Sequence, residues 1–550
     1  MKKARIQKSM VSVLLLLAIL FVAACNSASK NGNETDRPTQ SAAPSSSNTS
    51  TPSSPGTSSP GTAPSQSPAD GEPKYGGILK IVTQSEGSRP IGVPWECTGM
   101  DSNLIIPLIE TLLRESTKGE LAPCLAESWE FFDTEMVFKL REDVYFHDGT
   151  HFDAEAAAWN ITKSLEAKIL SGILYAEVRD EYVLALVVEK FQNNVLNRLA
   201  SRSYSGMISP TAFEENGIEW ARENPVATGP FTFESYVRGD TLKYTRNENY
   251  WQDGKPYLDG IWYPFIRDEA TQQMALLTEG DQGIDVLNTT SGELTFTLSQ
   301  NPILKSDLMP IGPISLVPSS LDESSPLALL EVRQAISYAI DRDALMAARG
   351  FGVLTAARQY IPDTWDAYLP TSYDCTYNPD KAKELLSQAG YPEGFKTKLF
   401  TMPGMVDKDI VVAMQGMLKD VGIECEIEFP DSGGYTSYRS TGWDGLLVQH
   451  MRTSTNPAVN CHVYWVRPEQ FVSCKRPDGL IDTVMEALYA HTPDTEKNQA
   501  IHKILMDNMV VIPIYNCNDA FVQKAYVMDG EFAQWGTLTF FLPYNIWLDK

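Results

Sequence analysis

Three short segments of the sequence carry side chains whose types and spacing could bind metal ions or anions. His147 and His151 flank Asp148-Gly149 at i,i+4, a spacing that invites interpretation as a metal site. The spacing falls in a predicted turn and not on a helix, so a structural role is favoured. Cys461-His462, near Cys474, also suggests metal binding. No C-x-x-C pair supplies the usual zinc or redox spacing, and eight cysteines are too few for a disulfide scaffold.

The third segment contains Gln449, His450 and Arg452, which present an amide, an imidazole and a guanidinium group close together. The guanidinium fork donates two parallel hydrogen bonds, so Arg452 would suit a carboxylate or a phosphate on a ligand. The alternative is that His450 and Arg452 are ordinary surface or structural polar groups. The P-loop, H-E-x-x-H, G-x-S-x-G and G-x-G-x-x-G signatures do not occur in the sequence. These residues therefore favour binding over catalysis.

The composition is that of a globular protein of more than one domain. The 550 residues are 43% hydrophobic and 21% charged, which excludes collagen-like, coiled-coil and wholly disordered chains. Forty-five basic residues against 70 acidic ones give a net charge of −25. A surface this acidic repels nucleic acid and anionic lipid headgroups, so no nucleic-acid partner is expected.

The first 24 residues have the pattern of an export signal. A basic start precedes the apolar run 10–24, which has only Ser12 as a polar residue and is too short to span a bilayer. The run ends in Val22-Ala-Ala-Cys25, which resembles a lipobox, where the cysteine is lipidated after cleavage. The alternative is an ordinary secretory peptide cut after Ala24. Lipid on Cys25 would anchor the protein to the outer face of the cytoplasmic membrane.

The next segment is predicted to be a disordered linker. Residues 26–74 contain no Val, Ile, Leu, Met, Phe, Trp or Tyr, so they cannot bury enough surface to offset the entropy of ordering. A lipidated Cys25 followed by this linker would hold a folded domain near the membrane. In an exported protein, Cys461 and Cys474 favour a disulfide over a metal site.

From Tyr75 onward, strand and helix patterns mix, which predicts the α/β class. Residues 78–82 are predicted to form a strand, and 332–340 place apolar residues on one face of a helix. Another helix begins with the cap Asn378 and Pro379 and ends before Gly390. Strands at 396–400 and 423–429 flank a helix at 408–421, the pattern of a parallel crossover.

Five motifs along this part of the chain match one protein family in order and spacing. They are Leu121-Ala-Pro-Cys-Leu-Ala-Glu-Ser-Trp129, Phe146-His-Asp-Gly-Thr-His-Phe152, Ala227-Thr-Gly-Pro-Phe231 with Asn247-Glu-Asn-Tyr-Trp251, Val332-Arg-Gln-Ala-Ile-Ser-Tyr-Ala-Ile-Asp341, and the segment 378–395. With these motifs the chain resembles the extracellular solute-binding proteins of family five, the oligopeptide, dipeptide and nickel-type receptors of ABC importers. The resemblance covers nearly all of the chain from Tyr75.

The resemblance implies a two-lobed fold of the periplasmic-binding-protein type (type II, cluster C), with an extra small domain in the N-terminal lobe. Mapped by motif, lobe I comprises 75–109, 206–312 and 510–550, the inserted small domain 110–205, and lobe II 313–509. The hinge is expected near 311–316 and 510–515. The ligand is expected to bind between the lobes, without cofactor, metal or catalytic residues.

Three stretches are expected to line this cleft. They are the loop Val93, Pro94, Trp95 and Glu96, the segment Gln449, His450 and Arg452, and the adjacent Asn456, Tyr464 and Trp465. The alternative for Trp95 is a place in the core. The chain departs from the family at 448–452, which lacks the acidic residue that commonly pairs with a peptide α-amine. This departure argues against tight binding of a free peptide N-terminus in the usual register.

The resemblance implies a monomeric, lipid-anchored receptor that captures a peptide or peptide-like solute and delivers it to an ABC permease. Three alternatives stay open. The same receptor could take an oligosaccharide or another anionic solute, or it could act as a sensor that is not coupled to import. A secreted hydrolase with paired carboxylates is the remaining alternative, and only turnover of a substrate would support it.

Overall fold

The structure is a computed structural model that describes residues 72–83, 86–87, 90–97, 101–115, 120–363, 365–370, 376–454, 456–535 and 538–550. The predicted signal segment, Cys25 and the linker up to residue 71 lie outside the described residues. Within the described ranges, no helix is long and apolar enough to cross a membrane.

The strands are β1 (Ile78–Val82), β2 (Leu113–Glu115), β3 (Leu121–Pro123), β4 (Ala126–Phe131), β5 (Glu135–Leu140), β6 (Tyr175–Asp180), β7 (Val183–Val187), β8 (Phe231–Val237), β9 (Thr241–Arg246), β10 (Gly260–Pro264), β11 (Val286–Thr289), β12 (Leu304–Pro318), β13 (Thr355–Ala356), β14 (Phe395–Phe400), β15 (Ile423–Glu428), β16 (Leu446–His450), β17 (Ile512–Lys524), β18 (Val527–Met528), β19 (Ala533–Trp535), β20 (Leu538–Phe540) and β21 (Trp547–Leu548).

The α-helices are α1 (Ala154–Glu166), α2 (Asn194–Leu199), α3 (Arg202–Ser205), α4 (Pro210–Asn216), α5 (Ile218–Glu223), α6 (Glu269–Leu277), α7 (Gly292–Ser299), α8 (Leu330–Ala339), α9 (Arg342–Arg349), α10 (Pro379–Gln388), α11 (Lys408–Asp420), α12 (Ser432–Thr441), α13 (Pro457–Cys461), α14 (Leu480–Leu488) and α15 (Thr495–Asp507). Short 3-10 helices lie at Pro94–Glu96, Asp101–Asn103, Gly280–Gln282 and Pro326–Ala328, and a π-helix lies at His462–Val466.

The main sheet has the strand order β15-β14-β16-β12-β17-β11-β1-β10-β9-β8, with β13 also paired to β17. The long strands β12 and β17 are antiparallel and stay paired from Leu304 opposite Lys524 to Leu316 opposite Ile512. β16 joins one end of β12, and β11 joins the other end of β17. The pair β12–β17 therefore connects two groups of strands. Of the residues predicted to form the hinge, 311–316 lie on β12 and 512–515 on β17.

A separate four-stranded sheet, in the order β4-β5-β7-β6, packs with α1 and α2 around its own apolar core. We call it the small sheet domain. Buried residues of that core include Phe138, Phe152, Ile161 and Leu184. Its strands and helices lie within segment 110–205, and the assignment of that segment as an inserted domain stays a prediction. Two further cores lie on the β14–β16 side of the main sheet, and another lies on the β1, β8–β10 side.

Several sequence predictions about local structure are confirmed. Asn378 caps α10 by accepting a hydrogen bond from the backbone N–H of Lys381, and Pro379 occupies the first turn. β14 and β15 are parallel neighbours on either side of α11, as the crossover pattern predicted. The mixed α/β class is confirmed as well.

Candidate functional site

The strand pair β12–β17 brings the segment after β16 into close contact with the chain at Gly312. The φ angle of Gly312 is +103°, in the region that favours glycine. A Cβ at this position would lie 2.4 Å from the Met451 carbonyl oxygen and 2.9 Å from the Thr453 nitrogen. The Met451 N–H donates to the Pro313 carbonyl at 2.8 Å. Gly312 therefore allows residues 451–453 to pack directly on β12.

Four of the residues predicted from the sequence gather at this crossing of strands. His450 lies next to Arg452, and burial together with this guanidinium lowers the pKa of His450 to about 3. The Tyr464 hydroxyl donates to the Arg452 carbonyl oxygen at 3.3 Å. Gln449 accepts a hydrogen bond from the Tyr435 hydroxyl at 3.0 Å and donates to the His450 carbonyl at 2.9 Å. The imidazole is therefore neutral at pH 7, and Arg452 supplies the positive charge.

Strand β17 carries a buried carboxylate that the sequence analysis missed. Asp519 is fully buried in β17 and accepts a hydrogen bond from the Asn288 amide at 2.8 Å. The neighbouring Cys517 thiol has its pKa raised to about 12 by burial, with Arg452 opposing the shift. The signal in the sequence was the presence of Asn516, Asn518 and Asp519 between the apolar residues 512–514 and 520–522 of one strand.

Buried polar atoms without a hydrogen-bond partner cluster on the strands of this crossing. Among the described residues they are Asn288 Oδ1, Ser306 Oγ, Ser315 Oγ, His450 Nε2, Thr453 Oγ1, Asn516 Oδ1 and Gln523 Oε1. Most buried polar groups in proteins are paired with protein or water. A concentration of unpaired groups on β11, β12, β16 and β17 is what a site for a polar ligand or ordered water requires.

The loop predicted to line the cleft from lobe I has its own packing partners. Trp95 is partly buried and lies 5.9 Å, between ring centroids, from both Trp159 and Phe213. Glu96 accepts two hydrogen bonds from Arg222, at 2.8 and 2.6 Å. Val93 and Pro94 are buried. These contacts favour the core alternative for Trp95, and a ligand role for the loop stays a prediction.

Asn456, Tyr464 and Trp465 are all buried, and of these only Tyr464 bonds to Arg452. Trp465 is fully buried and packs on Phe471 at a ring-centroid distance of 5.3 Å, so its ring belongs to the core. The Asn456 amide donates to the Asn193 side chain of the small sheet domain at 3.1 Å. Asn456 therefore contacts a neighbouring domain, and its role as a ligand contact stays a prediction.

The predicted disulfide between Cys461 and Cys474 is wrong for this structure. Both residues are buried free thiols. The Cys474 Sγ donates to the Pro318 carbonyl at 3.4 Å, whereas Cys461 lies beside Tyr360. Burial raises the pKa of the Cys461 thiol to about 12, so it stays protonated and unreactive. The two thiols face different partners on different elements.

His147 makes hydrogen bonds to the backbone of a neighbouring loop, which favours the structural role predicted for it. Its Nε2 lies 2.9 Å from the Gly229 carbonyl, and its Nδ1 accepts from the Ala227 N–H at 3.3 Å. Burial lowers the pKa of His147 to about 4. The ring ties the turn at 146–151 to the loop at 227–229. No group of three metal-ligating side chains occurs among the residues that the structure describes.

A cavity of about 740 Å³ lies beside this turn and away from the β12–β17 crossing. It is lined by residues 143 and 145–149 together with 247, 249–251 and 253. Three of the lining residues, Asp143, Asp148 and Asp253, are acidic. The family motifs at 146–152 and 247–251 both contribute residues to its lining.

Comparison with known proteins decides the family. Residues 120–466 match the model of the bacterial extracellular solute-binding proteins, family 5, middle region. The chain belongs to this family. A relative from Shigella flexneri, named glutathione-binding protein GsiB, is 29% identical over 324 residues, which are 57% of this chain and 62% of the relative. The match thus spans less than two thirds of the relative's length.

Solved structures of periplasmic binding proteins share the fold. DppA from Helicobacter pylori in complex with the peptide STSA has a TM-score of 0.71 at 21% identity, covering 87% of this chain and 99% of DppA. NikA from Brucella suis in complex with Fe(III)-EDTA has a TM-score of 0.73 at 21% identity, covering 84% and 98%. The two-lobed α/β fold of type II periplasmic binding proteins is therefore confirmed. Family 5 proteins are solute-binding proteins and not enzymes.

Proposed function

We propose that this protein is the membrane-anchored, extracellular substrate-binding component of an ABC importer. In this proposal it captures a peptide or peptide-like solute between two lobes and delivers it to the permease. The observation that carries the proposal is the convergence of Gln449, His450 and Arg452 on the β12–β17 crossing, beside buried polar atoms that lack partners in the described part of the chain. A carboxylate on the solute would pair with Arg452 there.

The lobes in this proposal are those drawn from the sequence. Lobe I comprises 75–109, 206–312 and 510–550, carries the inserted domain 110–205, and faces lobe II, 313–509. Since β12 and β17 connect the two groups of strands, bending of this pair would open and close the cleft. Closure around a solute would supply hydrogen-bond partners for the buried polar atoms that have none among the described residues.

The named ligands of similar proteins favour a solute that carries carboxylates. GsiB is named for glutathione, the DppA structure contains a peptide, and the NikA structure contains Fe(III)-EDTA. All three ligands carry carboxylate groups, which match the guanidinium of Arg452. The absence of an acid in segment 448–452 leaves less support for a free peptide α-amine in the usual register.

The ligand class is tested by thermal unfolding of the full-length protein with peptides, glutathione, oligosaccharides and metal chelates. A ligand at a hundredfold excess over its dissociation constant adds about 2.7 kcal/mol to stability, which shifts the midpoint measurably. We expect shifts with peptide-like solutes that Arg452→Ala abolishes and Lys383→Ala, on the exposed face of α10, retains. Shifts with oligosaccharides alone would contradict the peptide-like proposal.

The membrane anchor is tested separately at Cys25. We expect the wild-type protein to incorporate labelled fatty acid and to sediment with membranes, and Cys25→Ser to lose both properties. Secretion of the wild-type protein as an unlabelled soluble chain would support the alternative of simple cleavage after Ala24.

A further inference from the structure

The cavity beside the turn at 146–151 has no role in the function proposed above. Its volume of about 740 Å³ lies within the range of about 300–1,000 Å³ that is typical of small-molecule sites in proteins. One wall consists of residues from the segment 143–149, which joins β5 to α1 of the small sheet domain. The other wall comes from the segment 247–253, which joins β9 to β10 of the main sheet. A cavity between two sheets is a common place for a ligand, and its lining shows which chemistry it would accept.

The aromatic wall of the cavity is held by a buried carboxylate that does not line it. Glu110 accepts hydrogen bonds from the Tyr250 hydroxyl at 2.8 Å and from the Trp251 Nε1 at 3.1 Å. The Arg141 guanidinium lies 4.2 Å from the centroid of the Trp251 ring, and Arg141 does not line the cavity either. The position of Trp251 is therefore set by groups outside the cavity, as the fixed wall of a binding site requires.

Two polar side chains of the lining are already used by the protein. Asp148 accepts hydrogen bonds from the backbone N–H and the hydroxyl of Thr150 at 2.9 and 2.6 Å, and from the Ser209 hydroxyl. The Asn247 side chain donates to a backbone carbonyl at 3.0 Å and accepts from a backbone N–H at 3.0 Å. These two side chains shape the cavity, and the groups that could bind a ligand lie elsewhere in the lining.

Four other lining side chains make no hydrogen bond or ion pair with any part of the chain that the structure describes. They are the exposed Asp143, Tyr145, Asn249 and Asp253. The Tyr145 side chain is 49% exposed, so part of its ring surface is open. The four residues offer two carboxylates, an amide and a phenol, which are mainly hydrogen-bond acceptors beside an aromatic ring. A matching ligand must bring donors and an apolar face.

The charge of the lining narrows the ligand further. Among the described residues that line the cavity, none is a lysine or an arginine, whereas Asp143, Asp148 and Asp253 are acidic. A carboxylate or a phosphate would therefore meet like charges without a counter-charge. No group of three metal-ligating side chains exists here within the described ranges, so a metal ion is not favoured. Exposed ion pairs contribute little to affinity, so the exposed carboxylates do not by themselves select an amine.

We propose that this cavity binds a neutral carbohydrate of one or two sugar rings. The hydroxyl groups of the sugar would donate to the free carboxylate and amide oxygens, and the C–H face of a ring would pack on the Tyr145 ring. Trp251 supplies a second aromatic surface in a fixed position. The ligand differs in chemistry from the carboxylate-bearing solute proposed at Arg452, and the site does not depend on that proposal.

The test is a titration of the full-length protein with cellobiose and with maltose, two neutral disaccharides, followed by ligand-observed nuclear magnetic resonance. We expect the dissociation constant to rise about fivefold in Tyr145→Ala and about threefold in Asp253→Asn. Asp253→Asn keeps the side-chain shape, so it tests the site even if Tyr145→Ala lowers stability. Two variants outside the lining should bind as the wild type does. They are Tyr175→Ala, which removes a tyrosine that is 52% exposed, and Glu248→Gln, which removes an exposed charge from the same segment as Asp253.

Three results would overturn the proposal. The first is that neither disaccharide binds, and the second is that the wild type and both cavity variants bind equally well. The third is binding of the diamine putrescine in place of the disaccharides, with an affinity that falls as salt is added, because only an ionic ligand is screened in this way. Arg452→Ala should retain disaccharide binding, which separates this result from the outcome for the proposed function. Loss of disaccharide binding in Arg452→Ala would place the sugar at the β12–β17 crossing and contradict the cavity site.

Discussion

Asn456 donates its side-chain amide to the Asn193 side-chain oxygen at 3.1 Å and so joins segment 456–467 to the small sheet domain. Asn193 donates in turn to the carbonyls of Ala487 and Ala490 at 3.0 and 3.1 Å, and its backbone N–H donates to Leu488 at 2.8 Å. The side-chain oxygen and the side-chain nitrogen of Asn193 therefore both make hydrogen bonds across the junction.

Truncation of this side chain is expected to loosen the junction. Asn193→Ala leaves the Ala487 and Ala490 carbonyls and the Asn456 amide without their partner, at a cost of about 1–3 kcal/mol. We expect a lower midpoint in urea and a larger radius of gyration by small-angle X-ray scattering. Asn224→Ala, whose amide bonds an exposed carbonyl of its own helix, is the control. If the scattering and the stability are both unchanged, Asn193 does not hold the junction together.

Two glycines, one crowded and one open, test whether residues 451–453 must approach β12 closely at Gly312. Gly312→Ala places a Cβ 2.4 Å from the Met451 carbonyl at a positive φ, so it should strongly lower stability and solute affinity. Gly416→Ala on α11 meets no atom within 4 Å and should raise stability by about 0.5–1 kcal/mol. Urea unfolding measures both variants. Equal effects would show that Gly312 is not needed for the approach of residues 451–453.

A buried histidine gives the protein a defined loss of stability in acid. Burial lowers the pKa of His502 from 6.5 to about 4. Between these values the unfolded chain binds a proton that the folded chain does not, so stability falls as the pH falls from about 6.5 to 4. The contribution of one such group is about 3 kcal/mol.

His502→Gln removes this titration and isolates it from other groups. The difference in unfolding free energy between wild type and variant should be constant above pH 7. It should then shift in favour of the variant as the pH falls toward 4. Only in the wild type does the unfolded chain gain a proton on residue 502 that the folded chain does not bind. Urea unfolding at a series of pH values measures this difference. A difference that does not change with pH would mean that His502 titrates normally.

The elements of the fold were largely predictable because their signals are local. The cap Asn378, the apolar face of 332–340 and the crossover around 408–421 need only neighbouring residues to specify them. The division into lobes came from the family motifs and stays a prediction. The main features missing from the sequence analysis depend on contacts between distant segments.

The candidate site shows why such contacts escape sequence reasoning. Gln449, His450 and Arg452 were found because three polar types stand together in the chain. Asp519 was missed because its partner Asn288 lies more than 200 residues away. The disulfide between Cys461 and Cys474 was expected because exported proteins fold in an oxidising compartment. Whether two thiols form a bond also depends on their distance and orientation after folding.

The ion pair between Glu96 and Arg222 separates a packing role of the 93–96 loop from a ligand role. Glu96 is 24% exposed and bonds Arg222 through both carboxylate oxygens, whereas Glu219, the second partner of Arg222, is 85% exposed. The partly buried pair is screened less by solvent than the exposed one. Arg222 therefore depends mainly on Glu96 for its position.

Glu96→Gln keeps the shape of the side chain and removes its charge. We expect the thermal midpoint to fall, because two charge-assisted hydrogen bonds become weaker, while the affinity for a solute that stabilises the wild type stays the same. Glu219→Gln is the matched control, since it removes the exposed partner of the same arginine and should lower the midpoint less. If Glu96→Gln weakens solute binding tenfold with an unchanged midpoint, the carboxylate contacts the ligand and its pairing with Arg222 is secondary.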